Sequence, residues 1–122
     1  MKSTTLKLAG VAMVALLGAS GSAIAADLQA GQAAFEKFAC ASCHGADGKT
    51  SVMPSYPVLA GQHEDYLLHA LRAYQRGASG STQVNARSNA VMTAMVQQLS
   101  AADMRNIAAW LASLPSDLAV RR

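Results

Sequence analysis

Five consecutive residues carry the types and spacing that a covalent cofactor would need: Cys40-Ala41-Ser42-Cys43-His44, with Gly45 next. Two thiols separated by two residues can each add to one vinyl group of the same porphyrin. The adjacent imidazole then lies under the iron and supplies an axial nitrogen. The string therefore reads as a c-type haem attachment site, with Cys40 and Cys43 as the covalent anchors and His44 as the iron ligand. Other readings of a C-x-x-C pair fit less well. A redox dithiol needs a preceding strand and a βαβ setting, whereas the flanks here look helical. A structural zinc site needs four ligands; Cys40 and Cys43 are the only cysteines, and His63 and His69 are not at zinc-finger spacing. A disulfide between residues three apart would close a tiny loop and constrain little.

The iron has a second axial position, which an electron carrier closes with Met or His and a catalyst leaves open. Met53 lies too close to the attachment string, and Met104 fits an apolar helix face as core filler. Met92 and Met95 follow His44 by 48 and 51 residues, enough chain to round a haem edge and return on the opposite face. Spacing does not separate these two, because residues three apart share a helix face. His63 and His69 fit a helix start and its polar flank better than an iron ligand.

The elements that must hold these groups read as helices. Asp27 can cap a helix from Leu28, on which Leu28, Gly31, Ala34, Phe35 and Phe38 share a face and which delivers the chain into Cys40. Gly31 is either a weak spot in this helix or a place where another helix comes close. Residues 45–57 are irregular, with turn-forming Gly45, Asp47 and Gly48 and with Pro54 and Pro57. A loop here could cover the lower face of a haem and offer a carbonyl to Nδ1–H of His44; Pro54 is the candidate, a simple rigid turn the alternative. A second helix runs from about His63 or Glu64 to Arg76, with Gly77 as its C′ residue, acids in its first turn and arginines in its last. Residues 78–86 are small and polar, a surface loop. Ser88 or Asn89 caps a short turn carrying Met92 and Met95. Ser100 and Asp103 open the last helix as a capping box, with Met104, Ile107, Ala108, Leu111 and Leu114 along one face and Pro115 ending it. No strand pattern occurs. The fold class is all-α, about four helices and long loops around one haem.

The N-terminus has two lysines, an apolar run from Leu8 to Leu17 and small residues ending Ala23-Ile24-Ala25. That is a secretory signal with an A-x-A cleavage site, too short in its apolar run for a membrane span. Residues 1–25 are the expected signal peptide and 26–122 the haem domain, with a start at Ala26 or, as runner-up, Asp27. Removing 25 of the 122 residues leaves 97, one domain with a modest core that a covalent haem would staple. The full chain is basic, formally +3, but without Lys2 and Lys7 it carries 8 basic against 7 acidic side chains. A near-neutral surface with no basic tract excludes nucleic acid as a partner.

The motifs together resemble a family. Ala30-Gly31-Gln32 before the attachment string, Asp47-Gly48 after it, Pro54-Ser55-Tyr56-Pro57-Val58-Leu59-Ala60-Gly61-Gln62, Tyr66-Leu67 and Met92-Thr93-Ala94-Met95-Val96-Gln97-Gln98-Leu99-Ser100 are similar to class I c-type cytochromes, of the cytochrome c4 and c553-like group of proteobacteria. The likeness covers nearly the whole chain after the signal. It implies the class I cytochrome c fold. It implies Met92 rather than Met95 as the iron ligand, because the group's ligand stands seven residues before the Leu of the Leu-Ser pair. It also implies that Trp110, where the group commonly has Tyr, packs on Gly31 and Phe35. Arg87, five residues before Met92, is a candidate partner for a haem propionate. Cytochrome c4 has two such domains and this chain has one.

The function implied is a periplasmic one-electron carrier with a His/Met-ligated haem c and no enzyme activity of its own. Its partners would be redox proteins such as a membrane cytochrome complex, a terminal oxidase or a periplasmic dehydrogenase, without stable membrane insertion. Two alternatives remain: a haem subunit held permanently by a dehydrogenase or reductase, and a five-coordinate haem enzyme or gas sensor, for which no distal acid–base pair is visible.

Overall fold

The computed structural model describes residues 25–80 and 85–118. Residues 1–24, which hold nearly all of the expected signal peptide, residues 81–84 of the expected surface loop, and residues 119–122 lie outside it. The described residues form five helices and no strand: α1 (Leu28–Lys37), α2 (Ala41–His44), α3 (Glu64–Ala78), α4 (Ala90–Val96) and α5 (Ala101–Ser113). The fifth, beyond the four expected, is the attachment string itself, which coils into one helical turn.

The helix starts follow local chemistry. The Asp27 side chain accepts from the Ala30 N–H at the head of α1. Asn89 accepts from the Val91 and Met92 N–H groups at the head of α4. Ser100 and Asp103 bond each other's backbone at the head of α5. Each cap satisfies amides that have no partner inside their own helix.

The core is built on α5, which buries Met104, Ile107, Ala108, Ala109, Trp110 and Leu111. Helix α1 packs on one side of it and α3 on another, while α4 packs on α3. Phe35 of α1, Leu67 of α3, and Val96 and Leu99 at the end of α4 complete the cluster. Burying a side chain of this size contributes about 1.5–3 kcal/mol.

The α1–α5 contact is close enough to dictate a residue. A Cβ at Gly31 would run into the Asn106 carbonyl and lie 2.8 Å from Trp110 Cβ. The indole ring meets Phe35 at 5.1 Å between centroids, tilted by 51°. Gly31 is thus the site of close helix approach, and Trp110 packs on Gly31 and Phe35 as the family resemblance implies.

Gly77 plays a similar part, which corrects the expectation that it ends the second helix as a C′ residue. Helix α3 continues through it to Ala78, with Ser79 as C-cap. Arg87 crosses α3 here: its N–H donates to the Ala73 carbonyl at 3.0 Å, and its own carbonyl stands where a Cβ of residue 77 would be.

Gly31→Ala will lower the unfolding free energy of the haem-loaded protein by about 1–3 kcal/mol, the usual range for forcing atoms into a filled contact. Denaturant titration will show this as a lower midpoint with an unchanged slope.

Candidate cofactor site

Helix α1 ends in a Schellman arrangement that aims the next turn. The Cys40 N–H donates to the Phe35 carbonyl and the Ala39 N–H to the Glu36 carbonyl, both at 3.0 Å. The residue between cap and turn, Ala39, has φ +56°, a left-handed conformation usually given to glycine. The Ser42 hydroxyl donates to the Ala39 carbonyl at 2.6 Å. From there the chain coils at once into α2: the Cys43 and His44 N–H groups both donate to the Cys40 carbonyl. Cys40, Cys43 and His44 stand at positions i, i+3 and i+4 of one helical turn and share its face.

His44 is buried, 6% exposed. Its Nδ1 lies 3.2 Å from the Pro57 carbonyl oxygen. A carbonyl only accepts, so Nδ1 carries the proton and the Nε2 lone pair is left for a metal. The partner is Pro57 and not the expected Pro54. Pro54 is exposed at the tip of a turn closed by the Tyr56 N–H on the Met53 carbonyl, and the chain must complete that turn before a carbonyl comes back under the ring.

Both thiols are free, so no disulfide joins them. Burial, the largest influence, pushes the Cys40 thiol up, with the neighbouring Cys43 adding to it. Among the described residues no group of three His, Cys, Asp or Glu side chains could hold a metal ion, which leaves the zinc reading without ligands.

The loop after His44 is pinned at both ends. The Val52 N–H donates to the Cys43 carbonyl at 3.1 Å, the Leu59 and Ala60 N–H groups to that of Gly48, and the Gly61 N–H to Leu111 of α5 at 2.9 Å. Asp47 organises the first turn, accepting from the Lys49 N–H, the Thr50 N–H and the Thr50 hydroxyl. Those donors, led by the Thr50 backbone N–H, hold its carboxyl down at about 2.

The two candidate methionines differ in setting. Met92 is half-buried and packs against the core cluster, as do Phe38, Cys40, Leu59, Leu68, Leu71 and Tyr74. Met95 is half-buried too, without that packing. Met53 is 49% exposed, and Met104 is core filler at 3%. His63 stands at the N-cap of α3 and His69 is exposed on its side. The Arg87 guanidinium sits over the Tyr66 and Tyr74 rings, at 5.5 and 5.8 Å from their centroids. It borders a cavity of about 380 Å³ that also touches His69 and Arg76 and excludes the attachment string. One residue carried no sequence signal: Gln75 of α3, whose amide donates to the Val96 and Leu99 carbonyls at 2.9 Å each.

A profile of the cytochrome c family matches residues 28–115, from the first residue of α1 to just past α5. The chain belongs to the cytochrome c family. It is 40% identical over 105 residues to cytochrome c4 of Stutzerimonas stutzeri, covering 84% of this chain and 49% of that one. It is 39% identical over 79 residues to a thiosulfate dehydrogenase electron acceptor of Thiomonas intermedia, 65% of this chain and 33% of that one. The crystal structure of reduced recombinant cytochrome c4 from Pseudomonas stutzeri superposes with a TM-score of 0.65 at 39% identity, over 75% of this chain and 47% of that one. The chain thus spans about half the length of the cytochrome c4 relatives. The five-helix, strand-free arrangement of the described residues is the class I cytochrome c fold, and the family's cofactor is one covalent haem c. The residues present fit that group: two unlinked thiols and a buried imidazole with a free Nε2 on one turn, and large apolar side chains from α3, α4 and the loop that protein covers only in part.

Ala39→Gly will stabilise the haem-loaded protein by roughly 0.5–1 kcal/mol, since relief of the left-handed alanine outweighs the added freedom of the unfolded chain; thermal unfolding will show a raised midpoint. Asp47 has a carboxyl held below its ordinary 3.8, so its contribution is complete above about pH 4 and disappears as pH falls through about 2. Asp47→Ala will therefore be less stable than the parent at neutral pH, and the two denaturation curves will converge near pH 2.

Proposed function

We propose that this chain is a periplasmic one-electron carrier, exported by residues 1–25 and working as a haem domain of residues 26–122. Cys40 and Cys43 would hold the haem through thioethers, His44 Nε2 would bind the iron, and Met92 would bind it from the other side. When bound, the haem supplies a ferrous/ferric couple. The residues do the rest. Pro57 fixes the His44 ring by accepting the hydrogen bond of its Nδ1–H, which leaves Nε2 to bind the iron. A thioether from Met92 favours the reduced state and raises the potential. The apolar side chains keep water away, which pushes the potential the same way.

The observation that carries this reading is the buried His44 with Nδ1 bound to a backbone carbonyl, on the same turn as two unlinked thiols. A relative named as an electron acceptor supports the transfer of electrons rather than catalysis. That relative's name also favours a second reading, a haem subunit that stays with a dehydrogenase; recovery of the chain bound to a larger protein would favour it. Arg87 would serve a haem propionate through its in-plane N–H groups while its face rests on the Tyr66 and Tyr74 rings. The described residues contain no helix long and apolar enough to cross a membrane. With the signal removed the charge is near zero, so salt should change its rates with partners only weakly.

The ferric protein will show the weak near-infrared sulfur-to-iron band, and pyridine will give the c-type haemochrome spectrum. Met92→Ala will abolish the band and lower the potential, while Met95→Ala will leave both unchanged. Loss of the band in Met95→Ala alone would reverse the ligand assignment. Rapid carbon monoxide binding by the reduced parent would favour the enzyme or sensor reading.

A further inference from the structure

Helix α4 is only seven residues long. A helix of two turns is marginal unless something outside holds it. At its N-terminus the Asn89 side chain caps two amides. At its C-terminus the last carbonyls have no partner within the helix, and the residues there are buried, Val96 1% exposed and Leu99 7%. The Leu99 N–H turns back to the Val96 carbonyl at 3.1 Å, which leaves the Leu99 carbonyl to be satisfied from elsewhere. An unpaired carbonyl there would be expensive to desolvate.

Gln75 meets that need from a neighbouring helix. Its Nε2 donates to the Val96 carbonyl and to the Leu99 carbonyl, 2.9 Å each. A side-chain amide has two N–H donors, and both are used. The amide's orientation follows, because the flipped group would set its oxygen against two carbonyl oxygens. One side chain thereby bolts α3 to the last residue of α4 and to Leu99, which precedes the Ser100 cap of α5. Met92 is four residues before Val96 and shares its helix face. The position of Val96 along α3 thus sets where the Met92 side chain emerges.

We propose that Gln75 is the positioning residue for the iron's methionine, holding α4 in the one register that presents Met92 to the haem. The inference rests on the His/Met reading above and adds to it. A shift of α4 that carries Met92 away from the iron works against the Gln75 bond to Val96, and through the Val96–Leu99 turn against the bond to Leu99. Removing them raises the population in which the sixth position is open. Any exogenous ligand that competes with methionine then binds more tightly by the same factor.

Cyanide binding to the ferric, haem-loaded protein tests this. In Gln75→Leu, and in the isosteric Gln75→Glu, whose carboxylate has no proton to donate, the apparent cyanide association constant will rise about tenfold, as expected for two part-buried hydrogen bonds lost, one of which leaves the Leu99 carbonyl without a donor. The haemochrome spectrum and helical circular dichroism will stay those of the parent, and amide exchange will quicken in α4 but not in α1. In a Met92→Ala background, Gln75→Leu will add nothing further, because no methionine remains to be displaced. Cyanide association within twofold of the parent in both variants, with the parent's sulfur-to-iron band present, overturns the role of Gln75 and leaves His/Met ligation standing. Absence of that band in the parent overturns both.

Discussion

Everything about the site begins with how closely α1 lies on α5. The missing side chain at Gly31 lets the α1 backbone rest on the Asn106 carbonyl and the Trp110 side chain, and Phe35 locks the crossing through the indole. That contact fixes where α1 ends. The Phe35 carbonyl, one turn beyond Gly31, accepts the Cys40 N–H that closes the helix. The same residue that packs the core therefore sets the start of the turn carrying both thiols and the imidazole.

Helix α5 is also the wall against which the remaining pieces are set. The loop that covers His44 is tied to it through the Gly61 N–H and the Leu111 carbonyl, and α3 packs along it. Helix α4 reaches the core less directly, by its buried end and by Gln75. The two candidate axial ligands consequently differ in support. His44 stands on a turn braced by α1, by its own loop and by a carbonyl, whereas Met92 stands on a short helix held at its ends. Of the two, the methionine side is the one built to yield.

Much of this was legible in the residues because it is local. The attachment string, the caps at Asp27 and Ser100, a cap at residue 88 or 89, and the apolar faces of α1 (apart from Leu28, which is exposed) and α5 follow from chemistry within a few residues. What escaped depends on tertiary geometry. Pro54 and Pro57 look alike in sequence, and only the turn through Met53–Tyr56 decides which carbonyl returns to the ring. A glycine that ends a helix and a glycine that admits a crossing backbone read the same, which is how Gly77 passed for a terminus. Gln75 reads as any surface glutamine, because its partners lie 21 and 24 residues away. The left-handed residue at 39 is hidden because an alanine stands where glycine is the usual sign.

The acceptor for His44 is part of the main chain. Every residue type brings a carbonyl, so no single replacement at position 57 can delete it. Only a change in the path of residues 45–61, such as an insertion or deletion, could withdraw it from the ring. The donor strength of the imidazole is for this reason buffered against point mutation, and in related chains the length of this segment, more than the identity of its residues, should be what is held constant.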